Sequence, residues 1–321
     1  MSKDDFQILG RKIKKGERAT LELEVAKLHT RNSIKITIIV ERAKVDGPTI
    51  LFMGGVHGDE INGVAIVRDI IRKKYNKPKI GTIICIPVFN VFGYLNLTRE
   101  FPDGRDLNRM FPGSANGSLA SQFAYQFTKE IAPLVDYVVD FHTGGSYREN
   151  YPNVRCVLRE EKANELARVF GAPFIVSSEY ISKSIREMIH KMGKTILLYE
   201  GGKSKNLDEY VISCGVEGAL NVLKHLGMHS GEINLKNKPV VIHKAKWIRA
   251  PYSGILRLHI KNGSWVTNKT ILAEITDPYG EFQKKVTAPF DCYIFGVNTA
   301  PIVNKGDALF HISIETDQNS L

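Results

Sequence analysis

Two hydrophobic periods alternate along the first two thirds of the chain. Thr49 to Met53 is a short β-branched and apolar run ending at Gly54-Gly55, and from Asn62 to Tyr75 the residues Val64, Ile66, Val67, Ile70 and Ile71 recur at helical spacing. The pattern predicts a strand followed by a helix. Thr82 to Val88, Tyr137 to Phe141 and Thr195 to Tyr199 read as further buried strands. Ser118 to Ala132, Glu160 to Phe170, Ser182 to Lys191 and Val216 to Leu226 carry helical patterns. Strands alternating with helices from about Ile34 to Tyr210 predict an α/β layered domain with a largely parallel central sheet.

Helical periodicity stops between Gly227 and Pro239, where the sequence turns polar and rich in Gly, Asn and Pro. This places a boundary near residue 235 and predicts two domains, 1–235 and 236–321. The second contains a weak internal repeat. Ala250-Pro251-Tyr252 returns as Ala288-Pro289-Phe290, and Val266, Leu272 and Ile275 return as Val303, Leu309 and Ile312. Two short-strand half-units predict a small, pseudo-symmetric all-β domain. Its pattern resembles the biotinyl/lipoyl-type barrel-sandwich hybrid, whose carrier forms present a modifiable lysine at a hairpin tip. Asp277 to Lys285, between the halves, has no Met-Lys-Met, so an unmodified cap is expected. The carrier alternative rests on Lys284 or Lys285.

Composition narrows the function classes. With 321 residues, 43% of them hydrophobic, the chain can bury about 75% of its unfolded surface and needs no covalent staples. No apolar run approaches the ~18 residues of a spanning helix, and Met1-Ser2-Lys3-Asp4-Asp5 does not lead into an apolar export segment. Cys85, Cys156, Cys214 and Cys292 form no Cys-x-x-Cys pair, which argues against a zinc ribbon or a disulfide framework. A cytoplasmic protein without membrane contact is expected. The basic balance, 44 Lys and Arg against 34 Asp and Glu, lies in short clusters such as Arg11 to Lys15 and Arg72 to Lys79. These lack interleaved aromatics and any nucleic-acid module, so no nucleic-acid partner is expected. Residues 239–321 hold nine Lys and Arg against seven Asp and Glu. Most of the excess thus lies in the first domain, where a positive field suits a small anionic substrate. A homo-oligomer is compatible with all of this.

Candidate chemistry begins at Gly54-Gly55-Val56-His57-Gly58-Asp59-Glu60. In a turn leaving a strand, His57 and Glu60 can place a nitrogen and an oxygen at about 2.0–2.2 Å from one zinc ion. Such spacing arises by chance in a chain with nine histidines; position adds what spacing lacks. His57 follows the strand ending at Met53, His142 follows Tyr137 to Phe141, and Glu200 closes Thr195 to Tyr199. Ligand sites in open parallel sheets form beyond the carboxyl ends of the strands. Each group also stands near a glycine pair, Gly54-Gly55, Gly144-Gly145 or Gly201-Gly202, which permits close backbone approach. A second candidate is the loop from Thr98 to Gly113, with Arg99, Arg105 and Arg109 among Pro and Gly. The guanidinium fork matches a carboxylate in a bidentate way.

The ordered motifs His57-Gly-Asp-Glu60, Asp106-Leu-Asn-Arg109 with Phe111-Pro-Gly113, Asp140-Phe-His142 and Glu200-Gly-Gly202 resemble the succinylglutamate desuccinylase/aspartoacylase family, which is related to the zinc carboxypeptidases. The resemblance spans roughly residues 48–203 and extends to the C-terminal β-domain. It implies a zinc-carboxypeptidase-like fold with one Zn2+ per chain held by His57, Glu60 and His142, and with Glu200 as catalytic carboxylate. Asn108 and Arg109 would hold a substrate carboxylate. Arg99 or Arg105 would polarise the scissile carbonyl, with Arg99 preferred. Asn90-Val91 stands where the family often has Asn-Pro. The implied activity is zinc-dependent hydrolysis of the amide bond of a small anionic N-acyl amino acid. A carboxypeptidase acting on short peptides and a non-catalytic carrier or binding module are the alternatives. Asp140, two positions before His142, is a candidate hydrogen-bond partner for that imidazole.

Rival motifs are weaker. His225 and His229 have helical metal-pair spacing, but Gly227 is expected to end the helix between them. Gly193-Lys194-Thr195 lacks the leading glycine of a phosphate loop and precedes a strand, and no Gly-x-Ser-x-Gly elbow occurs. His243, His259 and His311 read as packing or surface groups.

Overall fold

The computed structural model of the chain describes residues 6–27, 31, 33–236 and 238–317. A short ladder of β1 (Gln7–Ile8) and β2 (Arg11–Lys12) precedes β3 (Arg18–Lys27), β4 (Ser33–Arg42), β5 (Val45–Gly54), α1 (Ile61–Arg72), β6 (Ile80–Ile86) and α2 (Val91–Asn96). There follow α3 (Leu119–Glu130), β7 (Tyr137–Gly144), β8 (Arg148–Cys156), α4 (Glu161–Phe170), β9 (Phe174–Ser177), α5 (Ile185–Lys191), β10 (Thr195–Lys203) and α6 (Glu209–His225). The remaining strands are β11 (Val240–Arg249), β12 (Gly254–Leu258), β13 (Trp265–Val266), β14 (Ile271–Thr276), β15 (Gln283–Thr287), β16 (Cys292–Asn298), β17 (Ile302–Val303) and β18 (Ala308–Thr316).

The central sheet is mixed, in the order β9-β8-β10-β7-β5-β6-β4-β3. Parallel pairing runs through β10, β7, β5 and β6, while β8 runs antiparallel to β10 and β4 antiparallel to β6 and β3. Strand period decides the layers. On β5, Leu51 and Met53 enter one apolar cluster with α3 and α5, whereas Ile50 and Phe52 enter the other with α1, α4 and α6. The same alternation puts Val138 in the first cluster and Val139 and Phe141 in the second. Asp140 and His142 therefore share a strand face with Val138.

Every helix and strand expected from pattern is present, with shifted ends; α6 begins seven residues before Val216. In the first 235 residues, six strands (β1, β2, β3, β4, β8 and β9) and the short helix α2 go beyond the runs singled out from pattern. β3 alternates buried and exposed residues, a signal obscured by its polar outer face. β9 has four residues, too few for periodicity. β8 reads Arg-Glu-Asn-Tyr-Pro-Asn-Val-Arg-Cys and is buried by its neighbours, not by its own hydrophobicity. In α2, Asn90 accepts from Gly93 N–H at 2.9 Å as N-cap, so Val91 fills the first helical position where proline is also favoured.

No regular element lies between α6 and β11 among the described residues. Beyond it the C-terminal strands continue the main sheet. β11 runs parallel to β9, and β16 runs antiparallel to β8, which satisfies strand edges that would otherwise be open. Eight of the repeat residues, Ala250, Val266, Leu272, Ile275, Ala288, Val303, Leu309 and Ile312, lie in one buried cluster, whereas Tyr252 is exposed. The ladders exchange between halves: Gly254 faces Val303, and Cys292 faces Val266. Lys284 and Lys285 sit inside the β14–β15 ladder opposite Ile275 and Glu274, away from the Asp277–Gly280 turn.

Strand β5 and helix α1 approach closely because both carry glycine. A Cβ at Gly54 would stand 2.5 Å from the carbonyl carbon of Gly63, and one at Gly63 would stand 2.3 Å from the carbonyl oxygen of Phe141. Alanine gains about 1 kcal/mol over glycine in helix propensity, but a backbone collision of this depth costs about 1–3 kcal/mol. Gly63→Ala is expected to lower stability, read as a reduced denaturant midpoint at unchanged slope.

Candidate metal centre and its cavity

Three adjacent strand ends deliver the principal side chains. The turn after β5 carries His57 and Glu60, and in the β7–β10 ladder His142 is directly opposite Glu200. Glu60 sits between the two imidazoles. His57 Nδ1 lies 2.7 Å from its Oε1 and His142 Nδ1 lies 2.9 Å from its Oε2. The candidate ligand atoms of all three lie within 4.8 Å of one another, and all three residues are buried. Each imidazole turns its other nitrogen to a carboxylate. His142 Nε2 is 2.8 Å from Asp140 Oδ2, and His57 Nε2 is 3.2 Å from Asp106 Oδ1. This is the arrangement that orients metal-ligating histidines, so the residues present fit a divalent ion.

Electrostatics follows from this packing. Burial disfavours the charged forms of His57 and His142, but the carboxylates facing them outweigh it and raise both pKa values, that of His142 strongly. Burial likewise opposes ionisation of Glu60, yet the two imidazoles hold its carboxyl well below the usual range. The imidazoles and the carboxylate thus compensate one another electrostatically, and a bound cation would compete with protons for the same nitrogens. Thr143 N–H donates to Glu60 Oε2 at 3.0 Å, and Arg99 Nη1 donates to Oε1 at 3.2 Å.

The arginine loop is rigid for an apolar reason. Phe101, Leu107 and Phe111 are buried in the cluster formed with α3 and α5. Between these anchors, Asp106 accepts from Arg99 Nη2 at 2.9 Å and from Asn108 N–H at 2.9 Å. Asn108 Oδ1 in turn accepts from Ile185 N–H at 2.9 Å at the start of α5. Arg99, Asn108 and Arg109 line a cavity of about 420 Å3 together with His57, Glu60, His142 and Glu200. Arg105 does not join them. It is exposed, and its Nε lies 3.7 Å from Asp103 Oδ2; the turn closed by Gly104 points it outward.

Several lining residues carry no sequence motif. Asn150 and Arg155 come from β8, Arg186 from α5, and Trp247 and His311 from β11 and β18. His311 is therefore not only a packing group. It stacks on Trp247 with ring centroids 4.5 Å apart, and burial together with the nearby Arg155 charge pushes its pKa down to about 3. Arg186 is 5% exposed and donates to the Ser178 carbonyl at 2.9 Å, while its Nε has no hydrogen-bond partner among the described residues. The other histidine candidates lie elsewhere. His229 Nε2 is 2.9 Å from Tyr75 O, and His225 is 3.4 Å from Glu165.

Fold and cavity together define an α/β protein with a buried His-Glu-His cluster at the carboxyl ends of parallel strands. A profile of the succinylglutamate desuccinylase/aspartoacylase catalytic domain matches residues 46–226, and the chain belongs to this family. The N-alpha-acetyl-L-2,4-diaminobutyric acid deacetylase of Halomonas elongata is 27% identical over 256 residues, which cover 76% of this chain and 74% of that protein. The product-bound ectoine utilization protein EutE (DoeB) of Ruegeria pomeroyi matches with a TM-score of 0.82 at 23% identity, over 93% of this chain and 95% of that one. The succinylglutamate desuccinylase/aspartoacylase of Rhodobacter sphaeroides matches with a TM-score of 0.81 at 25% identity, over 93% and 96%. No helix among the described residues is long and apolar enough to cross a membrane.

Removing the carboxylate behind one imidazole tests the cluster directly. Asp140→Ala is expected to weaken divalent-ion affinity roughly 10- to 100-fold, measured by titration against a chelator.

Proposed function

We propose that the chain is a zinc-dependent deacylase that hydrolyses the amide bond of a small anionic N-acyl amino acid. The observation that carries this reading is the convergence of His57, Glu60 and His142 with Glu200 in one arginine-lined cavity. Family members named as deacetylases and desuccinylases support amide hydrolysis. Zinc in the cluster would supply Lewis acidity, acidifying water and polarising an amide carbonyl.

The chain's own groups then have defined tasks. Glu200 Oε2 accepts from Asn150 Nδ2 at 2.9 Å, which leaves Oε1 as the atom to take a proton from water and return it to the leaving amine. Arg109 and Asn108 hold the substrate carboxylate. Arg99, tethered to Asp106, faces the ligand atoms and is placed to stabilise the developing oxyanion.

Five arginines line the cavity against the two carboxylates Glu60 and Glu200. This balance favours an anionic substrate over one with a cationic side chain, such as the diaminobutyrate derivative named for the Halomonas relative. Residues 1–235 would act as the catalytic unit and 236–321 as its cover, with Trp247 and His311 limiting substrate size. That limit favours a small amide over a peptide.

Metal analysis of the purified protein and hydrolysis assays on acetyl- and succinyl-amino acids test the reading. Bound zinc and turnover of these amides are expected. A metal-free protein that stays inactive in zinc-supplemented buffer would refute it, and release of C-terminal residues from unblocked peptides would favour a carboxypeptidase. Glu200→Gln is expected to retain zinc and lose turnover by about 10²–10⁴-fold, whereas Arg109→Ala should chiefly raise KM.

A further inference from the structure

Two asparagines of β8 hold Glu200. Asn150 Nδ2 donates to its Oε2 at 2.9 Å, and Asn153 Nδ2 reaches its main-chain carbonyl at 3.4 Å. Both asparagines are buried, at 7% and 0% exposure. The backbone of Asn150 is fixed from two sides, facing Gly202 of β10 on one and Gly296 of β16 on the other. β9 pairs with β8 only from Asn153 onward, so the C-terminal strand β16 takes up the part of β8 that β9 does not reach.

The contact extends to the side chain. A Cβ at Gly296 would stand 3.2 Å from Asn150 Oδ1 and 3.1 Å from His311 Cβ. The amide oxygen therefore lies against the bare Cα of Gly296 while its nitrogen faces Glu200. A neutral amide is suited to this task, because it fixes the plane of a carboxylate without a full positive charge competing for the proton. Among the described residues, the other oxygen, Oε1, has only the more distant Arg155 Nε, at 3.7 Å.

We propose that Asn150 is the positioning residue of Glu200 and that β16, through Gly296, sets the orientation of its amide. The C-terminal strands are then a working part of the site and not only its cover. This inference rests on Glu200 as the proton carrier.

The test is a set of variants of the full chain, each assayed for kcat, KM, bound metal and unfolding midpoint. Asn150→Leu, close in size but without a donor, should lower kcat roughly 10- to 100-fold with KM and metal content unchanged. Asn150→Gln, which keeps a donor on a longer arm, should recover part of the loss. Gly296→Ala should lower kcat several-fold alone and add nothing in the Asn150→Leu background, the non-additivity expected of residues acting through one another. Asn150→Leu should add nothing to Glu200→Gln. Near-normal turnover of Glu200→Gln would remove the functional reading itself. An inactive Glu200→Gln beside an Asn150→Leu with unchanged kcat would overturn only the positioning role. Should Asn150→Leu not fold, Gly296→Ala and Asn150→Gln decide: a several-fold lower kcat in both supports the proposal, and wild-type kcat in both overturns it.

Discussion

A carboxyl group at 1% exposure, that of Glu60, is the constraint around which the site is built. Glu60 cannot remain charged in that position without close compensation, and its two oxygens are fully engaged by two imidazoles, one guanidinium and one main-chain N–H. Those partners need support in turn. Asp140 and Asp106 stand behind the imidazoles, and Asp106 also tethers Arg99. The apolar anchors Phe101, Leu107 and Phe111 keep the arginine loop where Asp106 can do this. One buried charge thus dictates the placement of residues drawn from three separate segments: the turn after β5, the arginine loop and β7.

The sheet makes that placement possible. β5, β7 and β10 are adjacent and parallel, so their carboxyl ends open on one edge, and strand alternation sends Asp140 and His142 to the same face. The edge is completed by segments that do not belong to the parallel core. β8 supplies Asn150 and Arg155, and the C-terminal strands supply Trp247 and His311 while pairing with β8 and β9. A cavity assembled from both parts has a size and charge that neither part determines alone.

Much of this was legible in the chain. Apolar runs such as Thr49–Met53 and Tyr137–Phe141 announce buried strands because they place apolar side chains on both faces, Asp140 apart, and four ordered motifs announced the family. β8 was not legible, since its burial comes from neighbours contributed by distant sequence. Arg105 and Arg99 were indistinguishable by composition; Arg99 is turned inward by its pairing with Asp106, and Arg105 is turned outward beside Gly104 to meet Asp103. His311 carried no local partner in sequence, and only the meeting of β11 with β18 stacks it on Trp247 beside the cavity.

The sequence by itself determined the alternation of strands and helices, the two-part pattern with its internal repeat, and the motif residues that end each central strand, because these depend on local periodicity and on which side chains follow a strand. Only the tertiary structure decided which arginine faces inward, how Glu60 is balanced, and which asparagine holds Glu200. Those outcomes depend on distances between residues far apart in the chain, and such distances are fixed by strand register and layer packing, not by the order of residues.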